Sequence, residues 1–230
     1  MLPKATEEQW LQAADIRSMD ARWIAKHDSR RWHLFAAACC RRVLALGPDP
    51  LLESLIDATE EFADGSRTWE EMTALRKRFR DEYQLPPKND TNARKVAFDL
   101  SRAVEHLTRK VAHNAQRVTE PCAAGVASGS GGDWMAAYRA EHAAQVALAH
   151  DIFGNPFRPV DFSPEWRTST VVSLAKSIYD SRDFAPMPLL SDALQDAGCE
   201  HADILDHCRG NGPHVRGCWV VDQVLGKVDS

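Results

Sequence analysis

In the stretch that starts at Asp90, the residues Ala93, Ala97, Leu100, Val104, Leu107, Val111 and Val118 follow one another at spacings of three, four or seven. A 3.6-residue turn returns a side chain to the same side at those intervals, so the pattern requires an α-helix with one apolar stripe. Such a stripe needs a second apolar helix face to cover it. Trp134, Tyr138, Val146, Leu148 and Ile152 supply one within Trp134 to Phe153, with Asp133 placed to cap its first turn. The two segments predict a central, antiparallel helical hairpin.

The same logic runs through the first ninety residues. Thr6-Glu7-Glu8-Gln9 and Thr68-Trp69-Glu70-Glu71 have the form of capping boxes, in which side chains at both ends satisfy the orphan N–H groups of a first turn. The first opens a short helix with Trp10 and Leu11, and another short piece is expected from Ala21 to Lys26. Leu34, Phe35, Ala38, Arg42 and Leu46 mark a helix from Arg30 that Gly47-Pro48 stops; Leu51 to Ala63 reads as the next. The helix from Thr68 runs through Leu75 and Phe79 to Tyr83, before the break at Pro86-Pro87. No series of alternating apolar and polar residues bounded by turns competes with these signals. The expected fold class is all-α: an irregular multi-helix bundle with a central long helical hairpin and a C-terminal cluster of short helices, in one domain over residues 1–230.

Two segments interrupt the helical pattern. Glu120 to Gly132 is crowded with alanine, glycine and serine, and residues 120–132 are expected to be a flexible connection. Gly154-Asn155-Pro156-Phe157-Arg158-Pro159 cannot continue a helix, so residues 154–162 should run extended, until Ser163-Pro164 offers an N-cap followed by proline at the first helical position. Val171, Leu174, Ala175, Ile178 and Tyr179 then mark one amphipathic helix, and Leu190, Ala193, Leu194 and Ala197 another closed by Gly198. Short helices from Ala202 to Cys208 and from Val215 to Leu225 follow, separated by Gly210-Asn211-Gly212-Pro213.

Charge and composition exclude some partners. A net charge of −5 over 230 residues gives no global attraction to phosphate backbones. The basic stretches Arg41-Arg42 and Arg76-Lys77-Arg78 with Arg80 have acidic neighbours such as Glu70, Glu71, Asp81 and Glu82, which favours solvated helix faces over nucleic-acid contacts. The apolar run from Leu34 to Cys40 is far shorter than the roughly 20 residues of a membrane helix. The acids at Glu7 and Glu8 stand where a secretory signal would be apolar, so a cytoplasmic protein with free thiols is expected. Walker, dinucleotide, Gly-x-Ser-x-Gly and His-Glu-x-x-His motifs are absent from the sequence.

Chemistry is densest near the C-terminus, where Cys199, His201, His207, Cys208, His214 and Cys218 fall within twenty residues. If the last helix begins by His214, then His214, Cys218 and Asp222 project from one face, and Cys199, His207 or Cys208 can complete a tetrahedral zinc site. Each residue also has a packing explanation, which stands ahead of the metal one. Cys199 follows the capping Gly198, Cys218 sits among Val215, Trp219 and Val221 as a core thiol does, His207 lies in a last helical turn, and His214 can cap a helix. Asp222 in a helix apolar nearly all round needs a partner, which Arg209, Arg216 or His214 can supply.

Several strings have a family character: Leu34-Phe35-Ala36-Ala37-Ala38-Cys39-Cys40-Arg41-Arg42, Asp151-Ile152-Phe153-Gly154-Asn155-Pro156-Phe157-Arg158-Pro159, Asp196-Ala197-Gly198-Cys199, and His207-Cys208-Arg209 continuing as Gly212-Pro213-His214-Val215-Arg216-Gly217-Cys218-Trp219-Val220-Val221-Asp222. Together they resemble an uncharacterised bacterial family whose members share these strings. The resemblance implies no activity; it points to the double-cysteine helix, the Pro-Phe-Arg-Pro segment and the C-terminal cluster as places that pack into one site or one core.

Two readings of function stay open. The first is a non-catalytic α-helical module that binds a protein partner, with Arg216, Trp219 and Asp222 as binding candidates and the C-terminal cluster as core or structural zinc site. The second is an enzyme of hydrolase type with a Cys/His metal or thiol centre at His214, Cys218 and Asp222.

Overall fold

The computed structural model describes residues 6–19, 29–107 and 116–227. Among these residues there are α-helices, one 3-10 turn and no strand, as the periodicity requires. The expected helix over Ala21 to Lys26 and the stripe position Val111 lie outside the described residues. No helix among them is long and apolar enough to cross a membrane. Contacts gather the chain into two compact units, Met1–Val146 and Ala147–Ser230.

The first unit holds α1 (Glu7–Leu11), α2 (Ser29–Leu44), α3 (Pro50–Ala63), α4 (Trp69–Glu82), α5 (Thr91–Leu107), α6 (Gln116–Gly129) and most of α7 (Trp134–Phe153). Both capping boxes form: Thr6 accepts from the Gln9 N–H while the Gln9 side chain accepts from Thr6, and Thr68 and Glu71 do the same for α4. Asp133 caps α7, its Oδ1 accepting from the N–H groups of Met135 and Ala136. The core helix is α2, buried without interruption from Trp32 to Cys40.

Charges inside this unit pair with each other. Arg42 of α2 grips Glu141 of α7 with three bonds of 2.8 to 3.0 Å, and Glu141 is only 1% exposed. Arg41 bonds Asp57 and Glu60 of α3 at 2.6 and 2.7 Å. Arg76 and Arg80 share Glu105, Lys77 pairs with Asp81, and Arg78 with Glu82. The basic residues of both stretches therefore meet carboxylates of their own chain, as the acidic neighbours suggest.

The segment read as flexible is a correction. Residues 120–129 belong to α6, a helix that contains Pro121, and only Ser130 to Asp133 leave helical geometry before α7. Its small residues are a contact surface. A Cβ on Gly125 would lie 2.9 Å from Val43 Cγ1 of α2, and one on Gly129 would lie 3.1 Å from Leu46 and 3.2 Å from Val96 of α5. Absence of side chains lets the backbones approach, which outweighs the low helix propensity of glycine. The stripe of α5, with Val96, Leu100, Ala103, Val104 and Leu107 buried, is covered chiefly by α6. The helix from Trp134 bonds α6 through Gln145, whose amide donates to the Thr119 carbonyl at 3.0 Å.

The second unit starts with the end of α7 and continues through a non-helical stretch from Gly154, a 3-10 turn (Pro164–Trp166), α8 (Ser169–Ser181), α9 (Met187–Asp196), α10 (Ala202–Arg209) and α11 (Trp219–Leu225). Ser163 caps the 3-10 turn ahead of Pro164, as read from the sequence. Val171, Ile178, Leu190, Leu194, Ile204, Val220, Val221 and Val224 form the core of this unit. At the end of α9, Cys199 N–H bonds the Leu194 carbonyl and Gly198 N–H the Gln195 carbonyl, both at 2.9 Å, which is the double closure of a Schellman motif. The last helix starts later than Val215, because Cys218 N–H closes a turn onto the Val215 carbonyl with Gly217 at φ 97°.

Substituting Gly125→Val tests the contact role of α6. The added methyls meet Val43 at full packing density, and unfolding in urea should show a loss of about 1–3 kcal/mol. Gly132→Ala, beside which a Cβ meets nothing within 4 Å, serves as the control and should change stability by no more than about 0.5 kcal/mol.

Candidate metal centre

The site starts from a misfit. Asp151 lies in the last turn of α7, where the helix dipole disfavours negative charge, and it is 2% exposed. A carboxylate in that position must be met by donors from elsewhere in the fold. The chain leaves the helix at Gly154, φ 65°, where a Cβ would stand 3.3 Å from Trp219 Cγ. That missing Cβ lets the first residue of α11 pack on the end of α7, which brings Cys218 to the carboxylate.

Three further segments converge on Asp151. Its Oδ1 lies 2.8 Å from His214 Nδ1 and 3.1 Å from His207 Nε2. Its Oδ2 accepts from the Val215 N–H at 2.9 Å, so one dipeptide of the loop between α10 and α11 holds both oxygens. His207 Nε2 lies 3.2 Å from Cys218 Sγ, and the two imidazole rings meet edge to face at 4.9 Å. His214 Nε2 faces the Gly210 carbonyl at 3.4 Å, an acceptor that fixes Nδ1 as the nitrogen turned to the cluster.

One donor atom from each of Asp151, His207, His214 and Cys218 lies within 4.8 Å of all the others. In tetrahedral zinc, bonds of 2.0–2.3 Å place neighbouring donors about 3.3 to 3.8 Å apart. The 2.8 Å between His214 Nδ1 and Asp151 Oδ1 lies below that range and the 4.8 Å limit above it, so shifts of about 0.5–1 Å separate the hydrogen-bonded cluster from a chelate. Two imidazoles, a thiol and a carboxylate suit zinc or a neighbouring divalent transition metal better than magnesium or calcium, which take oxygen donors.

Burial alone would push the Asp151 carboxyl up, but its bonds to His207 and His214 and their charges outweigh that and hold it below the ordinary carboxylate range. Burial pulls His214 the other way; the bond to Asp151, its charge and the Gly210 carbonyl prevail and raise the imidazole. Burial pushes the Cys218 thiol well up, and the nearby Asp151 charge adds to it. A neutral buried thiol is a poor nucleophile, whereas a cation at its sulfur would favour the thiolate.

The arrangement also differs from a nucleophile relay. In a relay the acid holds one imidazole nitrogen while the other takes the nucleophile's proton. Here the Cys218 sulfur and the Asp151 oxygen both approach Nε2 of His207, so three heteroatoms share one small volume. These atoms belong to the group of four side chains that could hold a metal ion.

The candidates read from the sequence separate accordingly. His207, His214 and Cys218 come together; Cys199 and Cys208 do not join them. Cys199 packs into the core at the end of α9, and burial raises its thiol. Cys208 is likewise buried, its thiol pushed up to about 12 by burial and by the Asp151 charge. The alignment of His214, Cys218 and Asp222 on one helix face does not form, because α11 starts at Trp219 and leaves His214 in the preceding loop. Asp222 is buried in α11 outside the group. The Arg216 guanidinium stands 4.7 Å above the Tyr179 ring, and Trp219 lies 5.2 Å from the His207 ring. Sequence reasoning missed Asp151; an acid in a last helical turn, next to Ile152 and close to Leu148, was the available signal.

Compared with protein-family models, with curated proteins and with solved structures, the chain matches none.

Gly154→Ala should cost about 1–2 kcal/mol for the left-handed backbone, with a further loss from the contact on Trp219. Denaturant unfolding measures the first, and a shift of the tryptophan emission at full helicity reports the displaced ring.

Proposed function

We propose that the chain is a non-catalytic α-helical module whose second unit is held by one structural divalent cation of the zinc class, with Asp151, His207, His214 and Cys218 as its ligands. The observation that carries this reading is the approach of carboxylate and thiol to a single imidazole nitrogen. Four protein donors fill a tetrahedral site, and a filled site is structural. Bound there, the cation would supply a crosslink between the end of α7, the last turn of α10, the loop at His214 and the start of α11. Asp151 and Cys218 are anchored in advance, the first by the Val215 N–H and the second by its place ahead of α11. Chelation therefore asks little rearrangement of them.

The partner in this reading is another protein. Leu46, Phe98, Trp134 and Met135 of the first unit and Leu189 of the second expose large apolar side chains, the kind that protein interfaces use. The basic stretches that would serve a nucleic acid are neutralised by their own acids.

Protein purified without chelator should carry stoichiometric zinc by inductively coupled plasma mass spectrometry, and the double variant His214→Ala, Cys218→Ser should carry none. A metal-free wild type overturns the reading. Chelation of the wild type should also lower the thermal midpoint, since a cation held at a thousandfold excess over its Kd stabilises the folded state by about 4 kcal/mol.

A further inference from the structure

We propose that the His207 position of this centre is exchangeable, so that the cation held by Asp151, His214 and Cys218 accepts a small external donor of the imidazole or thiolate class in place of His207. The inference rests on the metal reading above and deepens it.

The four ligands are not held alike. A ligating imidazole is normally fixed by a second hydrogen bond from its far nitrogen, and the strength of a site depends on such partners. His214 has one in the Gly210 carbonyl, and its side chain is 8% exposed. Cys218 is wholly buried, with its N–H bonded to the Val215 carbonyl and its own carbonyl accepting from Asp222 N–H. Asp151 is anchored through Oδ2 by the Val215 N–H. These three also share neighbouring backbone, because Val215 adjoins His214 and bonds both Asp151 and Cys218.

His207 lacks this support. Its side chain is 19% exposed, the most open of the four. Among the described residues no hydrogen-bond partner faces its Nδ1, and beyond its Nε2 contacts the ring meets the rings of His214 and Trp219. The remaining three donors, one nitrogen, one sulfur and one oxygen, match the number that zinc enzymes keep when their fourth position is open. Replacement at His207 thus exposes the cation to solvent without releasing it.

Cobalt(II) loaded into the full-length chain tests this, because its visible bands report the donor set. His207→Gly should retain cobalt with altered bands, and added imidazole should restore the wild-type spectrum. His214→Gly should lose the metal. Loss of cobalt from His207→Gly to the same extent, or a retained spectrum indifferent to imidazole, overturns the inference while leaving the metal centre intact. If circular dichroism shows that His207→Gly does not fold, the wild-type cobalt protein is titrated with 2-mercaptoethanol: added sulfur-to-cobalt charge-transfer intensity supports exchange, and an unchanged spectrum overturns it. A wild type that takes up no cobalt overturns the centre itself.

Discussion

A carboxylate buried at the negative end of a helix is the constraint around which the second unit is arranged. Asp151 gains nothing from the dipole of α7 and little from solvent, so its ionised form depends on donors brought from distant sequence. The loop between α10 and α11 provides them as a consecutive pair, the His214 ring and the Val215 N–H. Gly217 turns the chain immediately afterwards, and Gly154 leaves room for Trp219. Each of these local features acquires its meaning from the position of one acid.

Cysteines in the two units show how neighbours decide the role of a side chain. Cys39, Cys40 and Cys122 are fully buried among α2 and α6; the thiols of Cys40 and Cys122 hydrogen-bond, and burial raises Cys39 and Cys122 well above the usual thiol range. They behave as compact core residues. Cys218 is as deeply buried, yet it faces an imidazole nitrogen and a carboxylate. Depth alone does not set what a buried thiol faces.

The helices with strong periodicity and caps were legible in the sequence, because both signals are local: the boxes at Thr6 and Thr68, the cap at Asp133 and the closure at Gly198 all form where the residues imply. Residues 120–129 were not, since alanine and glycine look alike in a loop and in a tight helical contact. Only the presence of Val43 and Val96 opposite them decides the matter. The crowding of His207, His214 and Cys218 was visible, but their carboxylate partner lies far upstream in another helix. The face alignment with Asp222 failed for a local reason, the turn that delays α11.

The spacing of the cluster along the chain sets the entropy that each of its contacts costs to close. His207 and Cys218 are separated by 11 positions, whereas Asp151 and His214 are separated by 63. Closing the longer loop costs about 1.5 kcal/mol more in chain entropy than closing the shorter. Loop entropy alone therefore makes the His207–Cys218 contact the less costly one to close, and the docking of the helix end that carries Asp151 the more costly.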